Sequence, residues 1–145
     1  MKKIFILSTL FLFFLNSCSD NDDIATKVSN CDQQAQIVED GIFNTIETYN
    51  YQISNVVLNQ DCLEITIWAS GCDANNWEMK LFSHNNFSTV IPLQRFAKIE
   101  LINNEICLAI FQKTVSFDLV PFQVQGQNQV PINLEGWSEQ IIYQY

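Results

Sequence analysis

The sequence predicts an all-β domain, and three observations lead to this prediction. From residue 49 to residue 145, short runs of alternating apolar and polar residues follow one another, as in strands with one buried face. Polar or glycine-containing segments interrupt these runs about every 8 to 12 residues. Hydrophobic residues make up 48% of the chain, enough for a core. About seven such runs predict an immunoglobulin-like antiparallel β-sandwich with disulfides, and a small β-barrel is the alternative.

The clearest strand covers residues 63–70, because its apolar and polar positions alternate with a period of two. A strand over residues 51–58 precedes it, and Asn59-Gln60-Asp61 between them has the length and composition of a hairpin loop. Gly71 opens the following turn, after which alternation resumes. The residues predicted to face the core on these strands are Leu63, Ile65, Ile67, Ala69, Trp77, Met79 and Leu81.

The later strands are predicted over residues 96–101, 106–115, 130–134 and 140–145. Asn103-Asn104-Glu105 forms a tight turn between the first two. Pro131 lies near the start of its strand and lacks a backbone N–H, so this strand is expected at a sheet edge.

Only residues 32–46 have a pattern that could form a helix, which Asp32 would cap. Gly41 and the β-branched residues weaken this helix. We therefore expect at most one or two helical turns.

The N-terminal residues have the pattern of an export signal. Lys2 and Lys3 precede an uncharged apolar run over residues 4–15, which as a helix would be ~18 Å long and too short to span a bilayer. The run ends in Leu15-Asn16-Ser17-Cys18, which resembles the lipobox of bacterial lipoproteins. The resemblance implies a signal peptide over residues 1–17 and lipidation of Cys18 by diacylglycerol and palmitate.

Residues 18–30 are expected to form a lipidated, flexible tether, because they contain few apolar residues. Ser19-Asp20-Asn21-Asp22-Asp23 is similar to the acidic surface-export tag of Bacteroidetes-type lipoproteins. The twelve residues after Cys18 have an r.m.s. reach of about 20 Å. We expect a domain of residues 31–145 anchored to the outer membrane, facing either the cell surface or the periplasm.

Four cysteines remain after Cys18, and an even number in an exported domain predicts two disulfides with three possible pairings. Cys62 and Cys72 bracket the clearest strand, which would hold them ~30 Å apart, far beyond the ~7 Å that a disulfide allows. Of the two remaining pairings we favour Cys72 with Cys107 and Cys31 with Cys62. The second bond would attach the N-terminal segment to the nearest strand.

Several short motifs resemble a group of small Bacteroidetes-type bacterial lipoprotein domains without assigned activity. The resemblance covers residues 49–145 and also implies the pairing of Cys72 with Cys107. Members of the group have a histidine shortly after the first cysteine, where this chain has Asp73-Ala74-Asn75, so no role of that histidine is carried over. The matching motifs are Ser70-Gly71-Cys72, Trp77, Leu81, Cys107-Leu108-Ala109, Val115-Ser116-Phe117-Asp118-Leu119 and Ile141-Ile142-Tyr143-Gln144-Tyr145.

The charge excludes nucleic acid as a partner, because the chain has 7 basic and 16 acidic residues and no basic cluster. Loss of residues 1–17 would leave 5 basic and 16 acidic residues, a net charge of −11. His84, the one histidine, is predicted to be solvated in the polar loop Ser83-His84-Asn85-Asn86. No catalytic or metal-binding motif is present in the sequence, so we predict neither an enzyme nor a cofactor or metal.

Two tryptophans are candidate ligand contacts. Trp68 lies on the polar side of its strand and could stack on a sugar or anchor a partner, although burial under a loop is the interpretation we favour. Trp137 follows Gly136 in a turn, where packing is the more common role. We therefore predict a non-catalytic binding or accessory module of the cell envelope. The alternatives are an inhibitor of a basic enzyme, such as lysozyme or a protease, and a glycan-binding component of an uptake system.

Overall fold

The structure, a computed structural model, describes residues 30–87 and 91–145. The predicted signal peptide over residues 1–17, the predicted lipidation site Cys18 and residues 19–29 of the predicted tether lie outside these ranges. The described elements are β1 (Gln33–Gln34), β2 (Gln36–Val38), α1 (Asp40–Phe43), β3 (Gln52–Asn59), β4 (Cys62–Gly71), β5 (Glu78–His84), β6 (Arg95–Ile102), β7 (Ala109–Asp118), a 3-10 helix (Val120–Phe122), β8 (Gln129–Leu134) and β9 (Ile141–Gln144).

These strands form a two-layer β-sandwich, as predicted. Sheet A has the order β1-β7-β4-β3, and sheet B has the order β2-β5-β6-β8-β9. Strands β3 to β9 correspond to the seven predicted strands. Within the described ranges the two sheets remain separate, so the barrel alternative is wrong. Three pairings, β1 with β7, β2 with β5 and β6 with β8, are parallel, which the alternation of single strands does not predict.

Strand β4 is central to sheet A, where it pairs with both β3 and β7. Its inward side chains Leu63, Ile65 and Ile67 are fully buried, which confirms the predicted alternation. Sheet B covers them with the inward residues of β5, β6, β8 and β9. The largest fully buried side chains of this shared core are Tyr143, Phe117, Phe122, Leu63, Ile65, Ile67, Met79, Leu81, Ile99, Leu119, Ile132 and Val130.

A second, smaller cluster lies on the outer face of sheet B. Phe43 of α1 and Ile46 cover Phe82 of β5 there. Phe82 is therefore buried although it lies on the polar side of its strand. A segment distant in sequence packs on Phe82, which the alternation of β5 alone does not predict.

Two disulfides fix the sandwich, with the pairing that the sequence favoured. Cys31 and Cys62 have Cα atoms 5.5 Å apart, and Cys72 and Cys107 have Cα atoms 4.9 Å apart. One bond lies at the start of β4 and the other directly after its end. Two structural disulfides indicate a domain that folds in an oxidising compartment.

Within residues 32–46 the helix is limited to about one turn, as expected, but the predicted cap at Asp32 is wrong. Residues 33–38 form β1 and β2, and the helix is limited to the four residues of α1, whose N-cap is Glu39. Asp32 caps no helix. Its carboxylate instead accepts hydrogen bonds from the Ser116 N–H at 2.8 Å and the Ser116 hydroxyl at 2.7 Å, which attaches the start of the domain to β7.

Two other predictions about strand position are corrected. Pro131 does not lie in an edge strand, because β8 is between β6 and β9. The register of β6 with β8 begins at Ile132, so the missing N–H of Pro131 removes no bond from that ladder. Strand β7 begins at Ala109 and not at Ile106, and residues 103–108 cross from sheet B to sheet A.

No helix within the described ranges is long and apolar enough to cross a bilayer.

The Cys72–Cys107 bond predicts a measurable loss of stability on its removal. The bond closes a loop with a sequence separation of 35, so replacing both cysteines with alanine should lower the free energy of unfolding by about 4 kcal/mol. Urea denaturation of the two proteins measures this difference. A loss below about 1 kcal/mol would contradict the importance of this bond.

Asp32 predicts an acid-dependent stability. The hydrogen bonds from Ser116 lower the pKa of Asp32 below its usual value, so its contribution is present above the unfolded-state pKa and is lost as pH falls through the folded-state pKa. Asp32→Asn should therefore lower stability at pH 7 and have a smaller effect near pH 2. Denaturation midpoints at both pH values test this, and an equal effect at both would contradict it.

Candidate functional site

Trp68 lies on the outer face of sheet A, and its side chain is 46% exposed. The favoured interpretation, burial under a loop, is therefore wrong. Gln52 of β3 and Gln112 of β7 are its direct cross-strand partners. Tyr49 and Ile110 line the same shallow hollow of about 410 Å³. The face offers an aromatic surface flanked by two amides.

An apolar row extends from Trp68 towards the end of sheet A. Ile110 pairs with Ser70, which places it diagonally next to Trp68. Leu108 and Ile106 precede Ile110 at alternate positions, in the segment just before β7, and they are 89% and 94% exposed. We call Trp68, Ile110, Leu108 and Ile106 the distal row.

Glu105 fixes the loop that carries this row. Its Oε2 atom accepts hydrogen bonds from the Cys72 N–H at 2.6 Å and from the Trp77 Nε1–H at 3.0 Å. Gly71 permits this approach, because an added Cβ would lie 2.4 Å from that Glu105 oxygen and 2.6 Å from the Trp77 ring. The loop is therefore tied to the fold by both hydrogen bonds and the Cys72–Cys107 disulfide.

Trp137 does not join Trp68. It follows β8 of sheet B, and its backbone N–H donates to the Leu134 carbonyl at 3.1 Å. Its side chain is partly buried against the main core. Gly136 before it has a φ of +84°, a conformation that favours glycine. The packing role expected for Trp137 thus describes it better than ligand contact.

A larger cleft of about 540 Å³ lies over the outer face of sheet B. The C-terminal part of the α1 segment forms one wall, and the end of β8 forms the other. Sequence reasoning did not find this cleft, because its residues come from four separate segments. Its lining consists of Asp40, Phe43, Asn44, His84, Phe96, Ala97, Lys98, Asn133, Leu134 and Glu135.

His84 lines this cleft. The prediction that His84 is a solvated loop residue is therefore wrong. Strand β5 extends through His84, and its side chain is only 17% exposed. The ring lies 4.9 Å from the Phe43 ring and stacks at 16° on the Phe96 ring, with 5.9 Å between centroids. Its Nδ1 atom is 3.3 Å from Asp40 Oδ1. The imidazole is thus held between two aromatic rings and a carboxylate.

Phe96 provides the exposed aromatic surface of the cleft. It lies on β6 opposite Asn133 of β8 and is 42% exposed. The sequence carried a signal for it, because Phe96 precedes Lys98 and Glu100 on the polar side of an alternating strand. This is the same signal that drew attention to Trp68.

Three side-chain amides form a connected cluster beside Phe96. Asn133 Nδ2 donates to Gln94 Oε1 at 3.0 Å, and Gln140 Nε2 donates to Asn133 Oδ1 at 3.0 Å. Gln140 Nε2 also lies 3.3 Å from Gln94 Oε1. These bonds hold the amides in fixed orientations, which reduces the entropy lost when a ligand binds them.

Lys98 ties the α1 segment to sheet B. Its Nζ donates to the carbonyls of Phe43 at 3.3 Å and Ile46 at 3.4 Å. It also lies 3.6 Å from Glu135 Oε2 and 4.9 Å from the centre of the Phe43 ring. The ammonium group is therefore used to build the cleft wall.

The arrangement offers binding groups without an evident catalytic set. Nδ1 of His84 is buried and makes no hydrogen bond of good geometry with the described residues. All four cysteines of the domain are in disulfides. Within residues 30–87 and 91–145, no three His, Cys, Asp or Glu side chains converge as a metal site would require.

Lys98 generates a prediction about the cleft wall. Lys98→Met keeps the apolar stem but removes two hydrogen bonds and leaves Glu135 without its cation, which should cost about 1–3 kcal/mol and speed amide exchange at Asn44, Thr45 and Ile46. Hydrogen exchange measures this local loss. Lys80→Met is the matched control, because Lys80 makes one exposed ion pair with Glu78 at 4.0 Å and should change stability by less than about 1 kcal/mol. Equal exchange rates in the two variants would contradict the role of Lys98.

Comparison with known proteins supports the fold alone. No protein-family model and no curated protein matches this chain. A solved structure, a protein of unknown function, DUF1344, from Bacteroides vulgatus, is similar with a TM-score of 0.53 and 14% sequence identity. The similarity covers 78% of this chain and 56% of that one, so this chain corresponds to little more than half of that protein. At this identity the match shows a shared β-sandwich architecture.

Proposed function

We propose that the protein is a non-catalytic, lipid-anchored binding module of the cell envelope that binds a sugar in the cleft over sheet B. The observation that carries the proposal is the exposed Phe96 ring beside the amide cluster of Gln94, Asn133 and Gln140.

The chemistry of the cleft matches the two surfaces of a sugar. The C–H face of a pyranose packs on an aromatic ring, and Phe96 offers such a ring supported from behind by His84. The hydroxyl groups of a sugar both donate and accept hydrogen bonds. Side-chain amides do the same, and carboxylates accept. The Asn133 amide, which Gln94 and Gln140 hold in place, and the carboxylates of Asp40 and Glu135 line the cleft and therefore offer partners for hydroxyls around the ring.

The size of the cleft supports a small ligand. Its volume of about 540 Å³ lies within the range of pockets that bind small molecules, roughly 300–1,000 Å³. A chain end or a short oligosaccharide fits this space better than a long polymer lying flat. The hollow at Trp68 is smaller, about 410 Å³.

The cellular setting supports a binding module near the membrane. The disulfides are typical of exported proteins, and the Leu15-Asn16-Ser17-Cys18 pattern favours a lipid anchor. A module without catalytic groups that holds sugars at the envelope would serve an uptake system or adhesion.

Phe96→Ala tests the sugar site. The substitution removes the stacking surface and should weaken binding about 5- to 30-fold, corresponding to ~1–2 kcal/mol. A panel of soluble oligosaccharides, including chito-, xylo-, malto- and manno-oligosaccharides, should be titrated against the wild-type domain by calorimetry, and each ligand that binds should then be titrated against the variant.

Ile142→Ala is the matched control. Ile142 lies on the same sheet, is also 42% exposed and does not line the cleft, so affinity should stay within about twofold. The proposal fails if no oligosaccharide binds, or if binding is lost with Trp68→Ala and kept with Phe96→Ala. The latter result would place the sugar on sheet A.

A further inference from the structure

The distal row is an unusual surface for a protein that acts alone. Large apolar residues that are exposed singly are common, but a contiguous exposed group marks an interaction site. Ile106, Leu108 and Ile110 are 94%, 89% and 66% exposed, and Ile110 lines one hollow with Trp68 and Tyr49. We propose that the distal row is the docking surface for a basic protein partner, independent of the sugar cleft.

The row is held rigid before any partner binds. Cys107 lies between Ile106 and Leu108, and its disulfide to Cys72 fixes the loop. Glu105 adds hydrogen bonds to the Cys72 N–H and the Trp77 ring. Binding of a partner should therefore cost little conformational entropy in this loop. Trp is also among the residues that most often dominate binding energy at an interface.

The position of the row favours a partner over the anchoring membrane. Cys31, at the N-terminal side of the domain, is bonded to Cys62 at the start of β4. The row lies beside Ser70 at the opposite end of β4, about 26 Å away at ~3.3 Å per residue. The chain therefore joins the domain at one end and exposes the row at the other.

The charge of the domain selects a basic partner. The described residues include 13 acidic and 4 basic side chains, and each of the four cations is already engaged within the domain. Glu47 accepts a hydrogen bond from the hydroxyl group of Tyr49, which lines the hollow with Trp68 and Ile110. Glu105 directly precedes Ile106, so acidic groups border the row. Lys80 forms an ion pair with Glu78, and Lys98 forms one with Glu135. Arg95 donates to the Phe122 carbonyl, and Lys113 donates to the Trp77 carbonyl.

The same charge disfavours the other occupants. Two copies of this chain joined through the row would bring acidic borders together, which opposes association. An anionic membrane surface would repel the domain for the same reason. A partner with an apolar groove bordered by Lys and Arg residues complements both the row and its border.

Binding to basic proteins tests the proposal. Lysozyme, ribonuclease A and cytochrome c should be titrated against residues 19–145 without the lipid, at 20 and 200 mM NaCl. We expect saturable binding of at least one of them, weakened by salt because the acidic border steers association. Leu108→Ser and Trp68→Ala should each weaken it about tenfold or more.

Val57→Ser is the matched control. Val57 is 45% exposed on the outer face of sheet A, opposite Glu64 near the other end of β4, and its replacement should change affinity by less than about twofold. Thermal unfolding establishes that each variant is folded.

Four outcomes would overturn the proposal. The first is no saturable binding to any of the three proteins at 20 mM NaCl. The second is binding that Leu108→Ser does not weaken, which would indicate non-specific charge attraction. The third is a dimer of the free domain that Leu108→Ser dissociates, and the fourth is binding to phosphatidylcholine or phosphatidylglycerol vesicles that the same variant abolishes. Sugar binding lost with Phe96→Ala is measured separately, so either proposal can fail while the other stands.

Discussion

Strand β4 is covalently fixed at both ends, and the rest of the domain depends on this constraint. Cys62 bonds to Cys31 at its start, and Cys72, directly after Gly71, bonds to Cys107. The inward side chains between them are fully buried. A disulfide stabilises by restricting the unfolded chain, and a continuous apolar row stabilises by removing its surface from water. Because both effects act on one strand, its position and register define those of β3 and β7.

The two outer faces of the sandwich differ because only one is covered. On sheet B, α1 packs on Phe82, and the Lys98 ammonium group ties the segment to the sheet through two carbonyls. Because the α1 segment covers only part of sheet B, a cleft forms between this segment and the end of β8. On sheet A, Trp68 is 46% exposed and lines a smaller hollow. The α1 segment thus gives sheet B its larger concave surface.

The sequence predicted the features that depend on local periodicity. The alternation in residues 63–69 indicated both the strand and its buried face, and the length of that strand excluded a bond between Cys62 and Cys72. The polar side of β6 could also have drawn attention to Phe96, since it follows the same rule as Trp68.

Features that depend on contacts between distant segments were not predictable in this way. His84 was placed in a polar loop because its neighbours in sequence are polar, but Phe43 and Phe96 enclose it from two other segments. Asp32 looked like a helix cap, yet its carboxylate accepts hydrogen bonds from Ser116, 84 residues away. Pro131 was expected in an edge strand because it lacks a backbone N–H. The parallel pairing of β6 with β8 makes this strand internal, and no local sequence pattern indicates such a pairing. In each case a tertiary contact outweighed the local preference.

The strand pairings also place the two candidate surfaces at opposite ends of the domain. Val38 of β2 pairs with His84 in the cleft. Strand β1, which precedes β2 closely, pairs with Asp118, and Asp118 pairs with Cys62 at the start of β4. The cleft therefore lies towards this end of β4. The distal row lies at the other end of β4, beside Ser70. A ligand in the cleft and a protein on the distal row would be separated by about the length of β4, which has a disulfide at each end. Occupation of one surface would therefore leave the other accessible.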